Sequence, residues 1–407
     1  NERCFVLTGG PGTGKTTAVN AILSLLEHHG QRVALAAPTG RAAKRLAELT
    51  GRSASTIHRL LEVDYTGGVV HFIHNEKNLL KCDAVILDEM SMVDVKLCQS
   101  LLAALRPACR IIMVGDAEQL PSVGPGNILG EVIRAQVVPT VCLNEIFRQA
   151  ARSLIVENAH HIVMGEPMRK SEKTDDFFFL EAAGEACQRL VCELVCTRLP
   201  KSYGLDPIQD IQVLCPTKLG LTGTQALNVK LQALLNPPKP GKAQLEAGAW
   251  TFRPGDKVMQ VRNNYEIVWQ RDGGEQGVGA YNGDIGIVQS VNMHDRSMTV
   301  RMEDRLLIYP AENLRELEIA YAVTIHKSQG SEFPAVVIPA AEVPQRLCYR
   351  NLIYTGGTRA RRLCILAGQR ATVDAMIANA RQNLRYSGLA CLLRAEAAAH
   401  AQAEDGE

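Results

Sequence analysis

The sequence has no cysteine pair at C-x-x-C spacing, although it holds 12 cysteines among 407 residues. The nearest cluster, Cys187, Cys192 and Cys196, has no histidine beside it. Neither a zinc site nor a thioredoxin-type pair is therefore written into it, and no metal or disulfide role is assigned. Cys192 and Cys196 stand four apart in a helical pattern, VCELVCTRL, so they share a face, as buried free thiols of a reducing compartment do. No apolar run approaches the ~18 residues of a membrane span, and residues 1–5 have no signal-peptide character. A cytoplasmic chain without a membrane partner is expected. Neither sign of charge is in excess: 44 Lys+Arg meet 43 Asp+Glu, for a net charge of +1. That excludes an acidic tail protein and leaves nucleic-acid binding to be argued from local residues. No long-period repeat is present. With 46% hydrophobic and 21% charged residues the chain is not disordered. At ~150 residues per domain it has the length of two or three domains, each with its own core.

What is present is an alternation. Short apolar runs at 4–8, 33–37, 84–87 and 111–114 are bounded by Gly, Pro or Asp, as strands buried on both faces of a parallel sheet would be. Helical patterns at 16–29 and 40–49 supply the crossovers of a βαβ domain over residues 1–152. Residues 62–75 break the pattern: Tyr65-Thr66-Gly67-Gly68 followed by Val70 and Phe72 reads as a small β-hairpin insertion. Helices with a short strand at 177–179 follow, and Ile211–Cys215 opens a second α/β unit assigned to 153–245 and 314–392. Between them, 246–313 follows a Pro/Gly-rich stretch and breaks into short strands such as 256–261, 284–291 and Ser297–Met302, the pattern of an inserted β-barrel. Residues 393–407 are Ala-rich and polar and read as a C-terminal tail, with a helix from Ala395 that frays toward the end.

Gly9-Gly10-Pro11-Gly12-Thr13-Gly14-Lys15-Thr16 follows an expected strand and opens an expected helix, with Thr17 next. It fits G-x-x-x-x-G-K-[ST] in the strand–loop–helix setting that the chemistry needs. Glycines let backbone N–H groups curl round phosphate oxygens, and the helix N-terminus adds a favourable dipole. Lys15 would reach the β- and γ-phosphates and the Thr16 hydroxyl would ligate Mg²⁺. Asp88-Glu89 ends the run AVIL: Asp88 is placed to hold the metal and Glu89 to orient and deprotonate an attacking water. ATP with Mg²⁺ is the implied pair. Gln119, in GDAEQLP, ends another strand and can sense the γ-phosphate, although a plain turn fits that stretch equally well.

With GGPGTGKT, APTGRAAKRL, STIHRLL, LDEMSMVD, GDAEQLPSVGPG, LNEIFRQ, VLCPTKLGLTG, AVTIHKSQGSEF and YTGGTRAR in this order, residues 4–370 resemble the motif series of superfamily 1 DNA helicases. The branch it resembles is the RecD/TraA type, which moves 5′→3′ on single-stranded DNA. The resemblance implies an α/β fold of two tandem RecA-like P-loop domains, a pin-like hairpin insertion in the first and an SH3-like β-barrel insertion in the second. It implies that Gly10, Pro11, Gly12, Thr13, Gly14, Lys15, Thr16 and Thr17 bind nucleotide. Lys15, Glu89, Gln119 and two arginine fingers, Arg148 and Arg359, would carry the chemistry. A guanidinium brought in from a second domain stabilises phosphoryl-transfer charge only when the domains close. The same carry-over gives a DNA track: Pro38, Thr39, Thr56, His58, Pro216, Thr217, Lys218, Asn282, Thr324, His326 and Lys327. Hydroxyls, lysines and loop amides grip phosphates without reading bases.

The implied partners are single-stranded DNA and duplex junctions, and a larger recombination or repair complex is compatible with the family. The resemblance also implies an upstream segment, with an adenine-contacting glutamine and a further domain, in the intact protein. Gly356-Gly357 departs from the bulkier pair of the family and implies backbone freedom beside Arg359. Two other readings fit parts of the sequence. One is a P-loop kinase or remodelling ATPase, which needs no HKSQG or TRAR segment and no barrel. The other is a nucleic-acid-binding module that uses ATP only as a clamp, against which intact Lys15, Asp88, Glu89 and both arginines argue.

Overall fold

The structure is a computed structural model that describes residues 2–64, 71–145, 152–172, 175–380, 385 and 387–404. The chain forms two compact units, Asn1–Val163 with Arg381–Glu407, and Met164–Ala380. The first domain expected from the sequence ends at 152; the first unit continues to Val163 and takes the end of the chain back as well.

The first unit contains, in order, β1 (Cys4–Gly9), α1 (Lys15–His28), β2 (Val33–Ala37), α2 (Gly40–Thr50), β3 (Ser55–Thr56), α3 (Ile57–Leu60), β4 (Val63–Asp64), β5 (His71–Phe72), β6 (Ala84–Leu87), α4 (Val95–Ala104), β7 (Arg110–Gly115), α5 (Ile128–Ala135), β8 (Thr140–Leu143) and α6 (Leu154–Met164). Six strands make one parallel sheet in the order β3-β2-β6-β7-β1-β8. Its central strand β6 is AVIL, buried at every residue, which is why an uninterrupted apolar run is needed there. One face packs Val85, Leu101, Met113 and Leu129, the other Leu7, Val19, Leu35 and Ile86. β4 and β5 pair antiparallel as the stem of the expected hairpin, Val63 opposite Phe72; its tip, with Tyr65, lies outside the described residues.

In the second unit, β9 (Phe177–Glu181), α7 (Gly184–Glu193), α8 (Leu199–Tyr203), β10 (Ile211–Cys215) and α9 (Thr224–Leu235) precede the insertion. A ribbon of β11 (Leu245–Ala247) and β12 (Trp250–Phe252) leads into β13 (Lys257–Gln260), β14 (Asn264–Arg271), β15 (Gln276–Ala280), β16 (Ile285–Asn292), β17 (Ser297–Met302), β18 (Arg305–Tyr309) and β19 (Leu317–Ile319). The last seven form one antiparallel sheet, β15-β14-β18-β17-β16-β13-β19. β17 shows its logic: Met298, Val300 and Met302 are buried while Ser297, Thr299 and Arg301 are not, the period of two of a one-sided strand. The parallel sheet then resumes with β20 (Ala322–Thr324), β21 (Phe333–Ala340), α10 (Arg350–Gly357), β22 (Ala360–Gly368) and α11 (Arg370–Ala378). Its order is β20-β10-β21-β22-β9.

The 12 cysteines are free thiols, and no three His, Cys, Asp or Glu residues form a metal cluster among the described residues. Cys192 lies in α7, and Cys196 in the π-helical turn Leu194–Arg198 that continues it. The helix expected at the chain end is present as the 16-residue α12 (Leu389–Glu404), which begins earlier than expected, and its Leu389 and Leu393 pack on the first unit's core. No described helix is long and apolar enough to cross a membrane.

Candidate functional site

Three adjacent strands, β6, β7 and β1, end at one edge of the first sheet, the edge where ligands gather in parallel α/β folds. β1 feeds the glycine loop and α1. Gly14 caps α1 at φ 87°, a left-handed conformation suited to glycine, and no side chain caps the helix. The first N–H groups of a 14-residue helix therefore point into the loop without a protein cap, an anion cradle by construction. Thr13 Oγ1 donates to the Gly10 carbonyl at 2.8 Å, and Lys15 Nζ donates to Gly9 O and Gly10 O at 2.6 and 2.8 Å. The ammonium is thus held inside the curl of its own loop.

Asp88 follows β6. Burial, then the neighbouring Glu89 charge, push its carboxyl up to about 6, and Lys15 and Arg45 pull it back. That Lys15 acts on Asp88 places the basic loop and the acidic strand end at one site. Glu89 donates its N–H to Asp88 Oδ1 at 2.9 Å. Its own backbone sits at φ 53°, ψ 42°, a region that costs a non-glycine residue ~1–3 kcal/mol and that collects at functional sites. β7 brings Gln119, 9% exposed, whose Nε2 donates to Asp116 Oδ2 at 3.4 Å. Gln119 Oε1 is buried with no hydrogen-bond partner among the described residues. An orphaned acceptor of this kind has a cost that a water or ligand would remove. The donor set also fits Mg²⁺: one hydroxyl, Thr16, and one carboxylate, Asp88, are what an ion that keeps its waters and binds phosphate oxygens requires.

Most of the expected DNA-track residues lie at or just after the ends of β2 and β3 in one unit and of β10 and β20 in the other. In the first unit, Pro38-Thr39 follows β2 and Thr56 ends the neighbouring β3. Thr39 Oγ1 accepts from Ala42 N at 3.3 Å and Thr56 Oγ1 from Arg59 N at 3.1 Å, so both hydroxyls cap helices and keep only their protons for an outside acceptor. His58 is half-buried against Phe72, with ring centroids 5.8 Å apart. Burial holds its pKa below the usual range, with Asp94 opposing.

In the second unit, Pro216-Thr217-Lys218 follows β10 and Thr324 ends the adjacent β20, with Cys215 opposite Thr324. Lys218 is exposed, whereas Lys327 Nζ bonds Glu318 Oε2 at 2.8 Å. Thr324 Oγ1 accepts from Lys327 N at 3.3 Å, and His326 is half-buried in the same turn. Asn282 is exposed at the β15–β16 turn and donates its backbone N–H to Asn263 Oδ1.

Arg359 is 2% exposed; taken alone it reads as a surface ion pair, and the structure buries it instead. Its Nε donates to Thr355 O at 3.3 Å and Nη1 to Ser331 O at 3.4 Å. The two glycines before it do not loosen it. Both are helical in α10, and a Cβ on Gly356 would stand 3.1 Å from Ile325 and Ile338, so this glycine serves close packing. Arg148 lies outside the described residues. Arg45 and Glu318 carry no signal in the sequence, because each acts through a neighbour that only folding supplies; Asp116 lies within GDAEQLP, and the structure adds that it accepts from Gln119.

Fold and site together define a P-loop protein with two parallel α/β units and an inserted antiparallel domain. Family models described as an AAA domain, an ATP-dependent RecD-like DNA helicase SH3 domain and a UvrD-like helicase C-terminal domain match residues 1–125, 227–302 and 319–367. The chain is 38% identical over 383 residues to the ATP-dependent RecD2 DNA helicase of Deinococcus radiodurans, covering 94% of this chain and 49% of that protein. It is 32% identical over 430 residues to the RecBCD enzyme subunit RecD of Mycobacterium tuberculosis, covering 94% of this chain and 69% of that one. A crystal structure of Bacteroides Pif1 bound to ssDNA shares the fold, with a TM-score of 0.53 at 19% identity, covering 99% and 95% of the two chains. The chain belongs to the RecD family of superfamily 1 helicases. It spans about half the length of the Deinococcus relative.

Proposed function

We propose that this chain is the motor of an ATP-dependent DNA helicase that moves on single-stranded DNA, 5′→3′, and separates duplex DNA at junctions. One observation carries the reading: Lys15, Asp88 with Glu89, and Gln119 follow the ends of three adjacent strands, Lys15 acts on Asp88, and Gln119 Oε1 is a buried acceptor without a partner among the described residues. ATP enters phosphates first. The loop N–H groups and Lys15 take the β- and γ-phosphates, and Lys15 exchanges its two carbonyl partners for phosphate oxygens. Thr16 and Asp88 would hold Mg²⁺, which would supply positive charge against the phosphates. Glu89 takes the proton of the attacking water, Gln119 Oε1 accepts from that water, and its amide N–H faces the γ-phosphate. Arg148 and Arg359 serve as arginine fingers.

DNA lies along Thr39, Thr56 and His58 of one unit and Thr217, Lys218, Thr324, His326, Lys327 and Asn282 of the other. The grips are hydroxyl, ammonium and amide groups, which bind any sequence and weaken with salt. Family membership supports the polarity and a place in recombination or repair, alone or within a larger complex. The test is unwinding of duplexes carrying a 5′ or a 3′ single-stranded overhang. ATP-dependent separation of the 5′-tailed substrate is expected, and separation of only the 3′-tailed one would refute the polarity.

A further inference from the structure

The end of the chain, which the function above leaves without a role, bears on the loop that carries Gln119. Residue 385 lies just beyond the second unit, which closes at Ala380, yet its side chain belongs to the first unit. Arg385 Nη1 donates to Gly126 O at 2.6 Å, to Ser122 Oγ at 3.2 Å and to Gly124 O, while Nη2 donates to Ser122 O. One planar guanidinium thus ties three backbone carbonyls and a hydroxyl of the loop 122–126. Ser122 is itself buried and donates to Gly124 O at 3.1 Å and to Gly126 O at 3.3 Å.

The same loop is also held by the segment that follows Glu89. Val95 N donates to Pro125 O at 3.0 Å, and a Cβ on Gly124 would collide with the Asp94 carboxylate. The loop is therefore held from two separate parts of the chain. Behind Arg385, α12 is fixed twice: Ala390 N donates to the buried Glu131 Oε2 at 3.2 Å, and Leu389 and Leu393 pack into the core beneath α5. Gln119 stands three residues before Ser122, linked through Leu120, which is 1% exposed.

We propose that Arg385 is a positioning residue for ATP hydrolysis: it holds the 122–126 loop so that Gln119 keeps its amide aimed at the terminal phosphate and attacking water. This rests on the motor reading. Because the clamp is made to backbone carbonyls, it needs a fork of donors at fixed angles, which arginine supplies and lysine supplies in part. A displacement of Gln119 by an ångström would slow the chemical step and leave nucleotide binding, which runs through the glycine loop, intact.

The experiment compares Arg385→Ala, Arg385→Lys, Gln119→Ala and the double variant Gln119→Ala/Arg385→Ala in the full chain, by steady-state ATP turnover on oligo-dT and by ADP affinity. Thermal unfolding serves as the folding control. Arg385→Ala should lower kcat by about tenfold to a hundredfold, with ADP affinity unchanged, and Arg385→Lys should recover part of the loss. In the Gln119→Ala background, Arg385→Ala should cost nothing further, since residues that act as a unit are non-additive. A folded Arg385→Ala with unchanged kcat, or one whose effect multiplies with that of Gln119→Ala, would overturn the proposal. If the alanine variant does not fold, Arg385→Lys carries the same two comparisons. Wild-type chain that showed no DNA-stimulated turnover would strike at the motor reading itself, and at this inference with it.

Discussion

Replacing Asp88 by asparagine should make the nucleotide-free protein more stable near neutral pH while removing its ability to turn over ATP. The carboxyl is pushed up to about 6 from its ordinary 3.8 by burial and by Glu89. A raised carboxylate pKa means that the folded state holds the charged form at a cost. The cost is fully present above about pH 6, is relieved as the folded protein takes up a proton below that, and is gone below about 4. A tenfold change in proton affinity is worth ~1.4 kcal/mol, so the rise from 3.8 to about 6 corresponds to at most about 3 kcal/mol. The group is only half-buried, so water screening reduces this to about 1–2 kcal/mol. The neutral amide carries no such cost.

Urea unfolding of the wild type and Asp88→Asn at about pH 7.5 and about pH 5 measures it. The variant should be the more stable at the higher pH, and the difference should shrink at the lower one. Wild-type turnover should fall only at a pH below about 6, because bound Mg²⁺ competes with the proton at Asp88 and a protonated Asp88 no longer holds the metal. An Asp88→Asn variant that is destabilised equally at both pH values would show that Asp88 sits in a favourable hydrogen-bonded site, contradicting the assignment of a desolvated carboxylate held charged at a cost.

Two further substitutions probe the second unit. Arg359→Ala should cut ATP turnover by ~10³–10⁵ while ATP still binds; loss of binding with normal turnover per bound ATP would refute the finger role. Lys327→Ala should reduce the slope of log affinity for single-stranded DNA against log salt by about 0.7, the share of one phosphate contact. Glu318→Gln, which releases Lys327 from its 2.8 Å ion pair, should tighten binding at low salt, and unchanged affinity in both variants would remove Lys327 from the track.

The parts of the fold that can be read ahead of the structure are those whose physics is local. β2, β6, β10 and β17 begin and end where the apolar or alternating runs do, because a strand buried on both faces must be continuous and a one-sided strand must alternate. The glycine loop is legible for a similar reason: its chemistry demands a fixed spacing. β3, only Ser55–Thr56, carries no period at all and exists because β2 offers it an edge. The π-helical turn at Leu194–Arg198 interrupts a helical pattern that reads as regular. Gly356 reads as a loosening residue because nothing near it in the chain announces the isoleucines that press on it. Arg385 is the extreme case. Its partners are backbone carbonyls some 260 residues away, and carbonyls leave no signature in a sequence.

The central claim is that Lys15 binds the terminal phosphates of ATP and that their hydrolysis is coupled to a DNA strand. ATP turnover measured with and without single-stranded DNA, for the wild type and Lys15→Ala, tests it most directly. Turnover that rises with DNA in the wild type and is abolished in Lys15→Ala, with strand binding largely retained, is the predicted result. Equal turnover with and without DNA, or a Lys15→Ala variant that hydrolyses ATP at the wild-type rate, would contradict it.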